Sequence, residues 1–153
     1  MKPVCYFLVG LPGSGKTTFR RDHLEPGMWL ASTDDKIEKI ASYLNSTYDS
    51  VFKSVIDIST KAMKDDVKFF IENKYPFIWD QTNLAKNSRK SKLSLLKGYD
   101  VICYVVECGD KDDHKKRLSN RPGKTIPEYV LSNMKLEEPT LDEGFSKIIR
   151  IYT

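Results

Sequence analysis

The stretch GLPGSGKT at residues 10–17 carries the residue types that hold a polyphosphate. A glycine, four residues, then Gly-Lys-Thr is the Walker A pattern. It lies between a short apolar run and a helix-forming stretch, which is the context its mechanism requires. The glycines let successive backbone N–H groups turn inward toward phosphate oxygens, and the following helix adds the positive end of its dipole. Gly10, Leu11, Pro12, Gly13, Ser14 and Gly15 make the loop, and Thr18 follows it into the helix. Lys16 can reach the β- and γ-phosphates, and the Thr17 hydroxyl is a Mg²⁺ ligand. ATP, or another nucleoside triphosphate, is expected with Mg²⁺. The motif alone does not separate a kinase from a hydrolase or a switch.

Three further groups suit phosphoryl transfer. Asp80 ends the apolar run PFIWD, where an acid at a strand's carboxyl end can hold Mg²⁺ through water or orient Thr17. The pair Asp34 and Asp35, in STDDKI, follows the apolar MWLA. A kinase needs a carboxylate to orient and deprotonate its acceptor hydroxyl, yet Ser32, Thr33 or Asp34 also reads as a helix cap, and spacing does not divide these tasks. Arg117, Arg121 and Lys124 run from a charged helix into a Pro-Gly loop. A closing lid over about residues 111–126 would bring such cations to the transferring phosphoryl.

Short apolar runs and helical periodicities alternate around these groups. Strands are expected at 3–10, 28–31, 76–80, 100–108 and 146–152. Helices are expected at 16–24, from Asp34 with apolar residues recurring at Ile37, Ile40, Ala41 and Leu44, and along a longer stretch with Phe52, Val55, Ile56, Ser59, Met63, Val67, Phe70 and Ile71 on one face. Two more are expected at 87–98, closed by Gly98, and at 127–138, with Pro127 in its first position. The implied class is α/β, a mainly parallel five-stranded sheet flanked by helices, in one domain over residues 1–153.

Composition narrows the setting. A net charge of +4 permits a polyanionic partner without demanding one. Cys5 and Cys103 lie in apolar runs, and with Cys108 the odd count argues against a disulfide framework. No apolar stretch is long enough to span a bilayer, and VCYFLVG runs straight into the glycine-rich loop, so a cytoplasmic setting is expected.

Taken together, these segments resemble the polynucleotide 5′-hydroxyl kinases, both the phage enzymes and the kinase half of animal DNA-repair enzymes. VGLPGSGKTTF is similar to their phosphate loop, STDD stands where they carry Asn-Arg-Asp, and WDQTN is similar to their Asp-Thr-Asn segment. KKRLSNRPGKTIP is similar to their lid, and EEPTLDEGFSKIIRI to the C-terminal segment of the animal domains. The resemblance implies a P-loop kinase fold with Asp34 as general base. It makes Arg117 and Arg121 the lid arginines and puts Asp80, Thr82 and Asn83 at the site. Thr33 and Ile37 depart from the pattern, the latter replacing an arginine that grips an acceptor phosphate. Lys36 stands close enough to substitute as a point charge.

The resulting expectation is an ATP- and Mg²⁺-dependent kinase acting on a nucleic-acid acceptor, single-stranded or at an end, of the phage-encoded kind. Lys16, Arg117 and Arg121 act on the donor, while Asp34, Lys36, Thr82 and Asn83 face the acceptor. The SRKSK helix is either a solvated face or a phosphate contact. Another kinase reading takes a hydroxymethylated base or a small molecule as acceptor, with Trp29 or Tyr43 either stacking on a base or packing in the core. The remaining reading, an NTPase switch, needs no hydroxyl-activating carboxylate.

Overall fold

The computed structural model describes residues 1–24 and 26–153. Among them, β1 (Val4–Val9), β2 (Trp29–Ala31), β3 (Phe77–Asp80), β4 (Asp100–Glu107) and β5 (Lys147–Tyr152) form one sheet in the order β2-β3-β1-β4-β5. Every neighbouring pair is parallel, so the five carboxyl ends share one edge. The flanking helices are α1 (Lys16–His23), α2 (Thr33–Tyr43), α3 (Tyr48–Glu72), α4 (Lys86–Leu93), α5 (Lys111–Ser119) and α6 (Glu128–Ser132). This is the α/β class expected from the alternating pattern.

β1 is central because it is apolar on both faces. Cys5, Phe7 and Val9 join Met63, Val67 and Phe70 of α3 in one core. Leu8 belongs to the other face, with Phe19 of α1, Ile78 and Val106. The split follows the strand's two-residue period, and burial on both sides accounts for the unbroken apolar run. α1 thus leaves β1 over one face, whereas Leu93 of α4 packs with the α3 core on the other. Connections that diverge from adjacent strands leave a crevice at their carboxyl ends, where open α/β sheets take ligands. The Gly10 N–H donates to the Thr82 carbonyl across it at 3.0 Å.

Ser32 caps α2, its hydroxyl accepting the Asp35 N–H at 3.1 Å. Thr47 and Ser50 cap α3 reciprocally. Two helices are shorter than their sequence suggested. α4 stops at Leu93, and Gly98 (φ 91°) serves a separate turn, because Leu96 leaves the helix to enter the core. α6 stops at Ser132 with Pro127 as its N-cap rather than its first helical residue. Beyond it Leu136 packs on the core, and the Glu137 N–H donates to the Leu84 carbonyl rather than to its own helix. Trp29 stacks on Tyr75 with centroids 5.4 Å apart, while Tyr43 is 86% exposed and belongs to neither core nor crevice. The cysteines are unpaired. No described helix is long and apolar enough to cross a membrane.

Candidate functional site

The loop after β1 opens onto a cleft of about 1090 Å³. Pro12, Gly13, Gly15, Lys16, Thr17 and Thr18 line it; Gly10, Leu11 and Ser14 do not, and shape the loop instead. Gly15, at φ 102°, holds a left-handed turn that a side chain resists. Gly10 answers a different need, since a Cβ there would meet the Val106 carbonyl oxygen at 2.5 Å. Lys16 Nζ donates to the Gly10 and Leu11 carbonyls at 2.6 and 3.3 Å. Burial brings this ammonium down to about 8; Asp80 and Asp34 oppose the fall, and Arg121 and Lys124 add to it.

Asp80, at the end of β3, is buried and lines the cleft. Its Oδ2 accepts from Arg20 Nε at 2.7 Å. Burial raises the carboxyl's pKa, and Lys16 and Arg20 pull it back down. The described residues contain no group of three or more His, Cys, Asp or Glu fit for a metal. An exposed Thr17 and a buried carboxylate lining the same cleft do suit Mg²⁺, which keeps several waters and takes its other ligands from substrate phosphates. Thr17 would hold it, with Asp80 alongside.

The two acids of STDD separate. Asp34, in the first turn of α2, is largely exposed on the cleft wall; its Oδ1 accepts from the Tyr48 hydroxyl at 2.7 Å, and Lys124 Nζ lies 3.5 Å from its Oδ2. Asp35 also lines the cleft, but its carboxylate is paired with Lys39 at 3.0 Å and with Arg20 at 3.7 Å.

Arg117, in the last turn of α5, donates to Thr153 Oγ1 at 2.7 Å and, at 3.4 Å, to the Ser14 carbonyl. Arg121 also lines the cleft, and its NH1 is buried without a hydrogen-bond partner. The structure therefore brings Lys16, Thr17, Asp80, Asp34, Thr82, Arg117 and Arg121 to one cleft.

Other expected groups lie elsewhere. Lys36 is held by Asp66 at 2.5 Å, away from the cleft, so it does not replace the missing arginine. Asn83 is buried at φ 50°; its Nδ2 donates to the Leu8 carbonyl at 2.7 Å and its Oδ1 accepts from Lys92. It braces the loop and offers an acceptor nothing. Arg89 of SRKSK is fully buried, paired with Glu143 at 2.8 Å and donating to the Asn83 and Leu84 carbonyls. It is neither solvated nor available to a phosphate. Conversely, Tyr48, Asp49, Phe52 and Tyr129 line the cleft unforeseen, because no motif spacing ties them to it.

A family model described as an AAA domain matches residues 6–138. Among solved structures, a candidate kinase from Chloroflexus aurantiacus J-10-fl aligns with a TM-score of 0.72 at 15% identity, over 100% of this chain and 89% of that one. A sugar kinase from Janibacter sp. HTCC2649 aligns at 0.61 and 18% identity, over 99% and 86%. A chain of the Pnkp1/Rnl/Hen1 RNA repair complex aligns at 0.63 and 24% identity, over 87% of this chain but only 43% of its own length. These likenesses place the fold among the P-loop kinases.

Proposed function

Because the chain belongs to the AAA domain family and has a P-loop kinase-like fold, we propose that it is an ATP- and Mg²⁺-dependent kinase that phosphorylates the 5′-hydroxyl of a polynucleotide. The observation that carries this reading is Asp34, an exposed carboxylate on the wall of the cleft that the phosphate loop enters. An NTPase switch needs no carboxylate to activate an acceptor hydroxyl, and a hydrolase would direct Asp34 at water, which the acceptor assay below separates from transfer.

The proposed chemistry follows from the residues. The loop amides and Lys16 bind the donor phosphates. Mg²⁺, when bound beside Thr17, supplies charge neutralisation on the phosphate oxygens. Asp34 accepts the proton of the attacking hydroxyl. Arg117 and Arg121 neutralise charge on the transferring phosphoryl group as it loosens from its leaving oxygen. Thr82, on the cleft wall, contacts the acceptor.

A nucleic-acid acceptor is supported by the rest of the cleft. Phe52, Lys53 and Ile56 of α3 line it together with Tyr129, Val130 and Met134 of the α6 region, and Phe52 and Tyr129 are exposed. Exposed aromatic side chains and a lysine on one cleft suit a base and its phosphate. The RNA repair complex among the similar structures fits this acceptor, although sugar and shikimate kinases share the fold.

The test is transfer of labelled γ-phosphate from ATP, with Mg²⁺, to 5′-hydroxyl DNA and RNA. The same strands bearing 5′-phosphate, hydroxymethyl-base DNA and small polyols serve as competing acceptors. Label is expected on the 5′-hydroxyl strands alone. Asp34→Ala should lower transfer by about 10²–10⁴-fold while ATP still binds. Label on a 5′-phosphorylated hydroxymethyl strand or on a polyol would overturn the acceptor, and phosphate release with no labelled acceptor would overturn the kinase.

A further inference from the structure

We propose that the first turn of α3 positions both halves of the transfer chemistry: Tyr48 holds the Asp34 carboxylate, and Asp49 holds the lid segment that carries Arg121. The catalytic consequence rests on the kinase reading above; the geometry stands independently of it.

Tyr48 opens α3. Its hydroxyl fixes one oxygen of Asp34 at 2.7 Å. Lys124 lies over the Tyr48 ring, 4.5 Å from its centroid, with Nζ 3.5 Å from the other Asp34 oxygen and 2.8 Å from Glu38 Oε1. The carboxylate is thus held from two directions. Burial, with Asp34 next, pushes the Tyr48 phenol far above its ordinary range, so it remains a donor at any working pH.

Asp49 is the neighbouring residue and faces the lid. Its carboxylate accepts the Thr125 N–H at 3.0 and 2.9 Å and the Thr125 hydroxyl at 2.8 Å. Its own N–H donates to the Gly123 carbonyl at 2.8 Å. Gly123 fits closely there, since a Cβ would stand 2.6 Å from Thr47 Cβ. Residues 123 and 125 are thereby stitched to α3, and Arg121 enters the cleft just before them. Burying one of its N–H groups without an acceptor is unfavourable, and the Asp49 contacts offset that cost. A guanidinium already held at the cleft wall needs less reorganisation during transfer.

Tyr48→Phe and Asp49→Ala test the two halves, each measured for kcat, KM and ATP affinity. Either substitution should lower kcat about 10- to 100-fold with ATP affinity retained, because a small displacement of a reacting group has effects of that size. Asp49→Asn, which keeps an acceptor oxygen, should retain more activity than Asp49→Ala. Trypsin cleavage after Lys124, without substrates, should accelerate in Asp49→Ala and not in Tyr48→Phe. Wild-type kcat in both variants, a fall in melting temperature that accounts for the lost activity, or unchanged cleavage in Asp49→Ala would overturn the proposal. A wild-type protein that phosphorylates no hydroxyl would sink the kinase reading instead, and the cleavage experiment would still decide the lid contact.

Discussion

Lys16 rests on two carbonyls of its own loop, in a setting whose burial brings its pKa to about 8. A triphosphate binds the charged form, so nucleotide binding must restore the proton that free protein loses above that value. ATP affinity should weaken as pH rises from about 8 toward the ordinary lysine value, and binding should take up a proton there. Calorimetry in buffers of different ionisation enthalpy would detect this uptake at about pH 9; no buffer dependence would refute it. The same shift acts oppositely on folding. The unfolded chain holds its proton to higher pH than the folded one, so this group's contribution to stability rises across the interval from about 8 to 10.5. That Lys16, Thr17 and Asp80 meet at one cleft was legible in the sequence because strand, glycines and helix constrain one another locally. The different settings of Asp34 and Asp35 were not legible from spacing. They depend on Ser32 taking the cap and on Arg20 and Lys39 pairing Asp35.

Helix α4 teaches a different lesson at the scale of elements. SRKSK is basic enough to suggest a solvated or phosphate-facing surface, yet Arg89 lies fully buried against Glu143, a residue remote in sequence. Residue type gives the charge of a side chain and not its partner, which chain folding alone supplies. The Glu143 carboxyl is lowered overall: burial acts to raise it, and the Arg89 hydrogen bond, with the Thr140 amide, outweighs that effect. Arg89 also donates to the Asn83 and Leu84 carbonyls, so the ion pair fixes the loop whose Thr82 carbonyl accepts the Gly10 N–H. Arg89→Ala would strand a buried carboxylate and release those carbonyls. It should destabilise the fold by about 3–5 kcal/mol, read from urea unfolding, and a loss below about 1 kcal/mol would contradict this account. The strands and the long α3 were readable because their apolar periods match their burial. The ends of α4 and α6 were not, because Leu96 and Leu136 leave the helical path to reach the core.

Across the whole molecule the cleft is walled by separate units: the loops after β1 and β3, the α2–α3 pair, and the lid. Its basic side chains do not make a uniformly positive surface, since Arg20 and Lys124 are each paired with acids. The net charge of +4 therefore says little about where an anion binds. The Arg121 N–H left without an acceptor is more informative, because a phosphate oxygen in the cleft that the loop also lines would satisfy it. A ligand that joins these units should stabilise the whole fold. At about 100 times its Kd, ATP with Mg²⁺ should add about 2.7 kcal/mol, or about 5–10 °C in Tm for a chain of this length. Differential scanning fluorimetry would measure the shift, which EDTA should reduce and Lys16→Ala should abolish. Arg121→Ala should keep most of it, because the loop still binds the phosphates, and should instead lose the catalytic rate. A full shift in Lys16→Ala would mean that the nucleotide lies elsewhere and that this cleft has been given the wrong occupant.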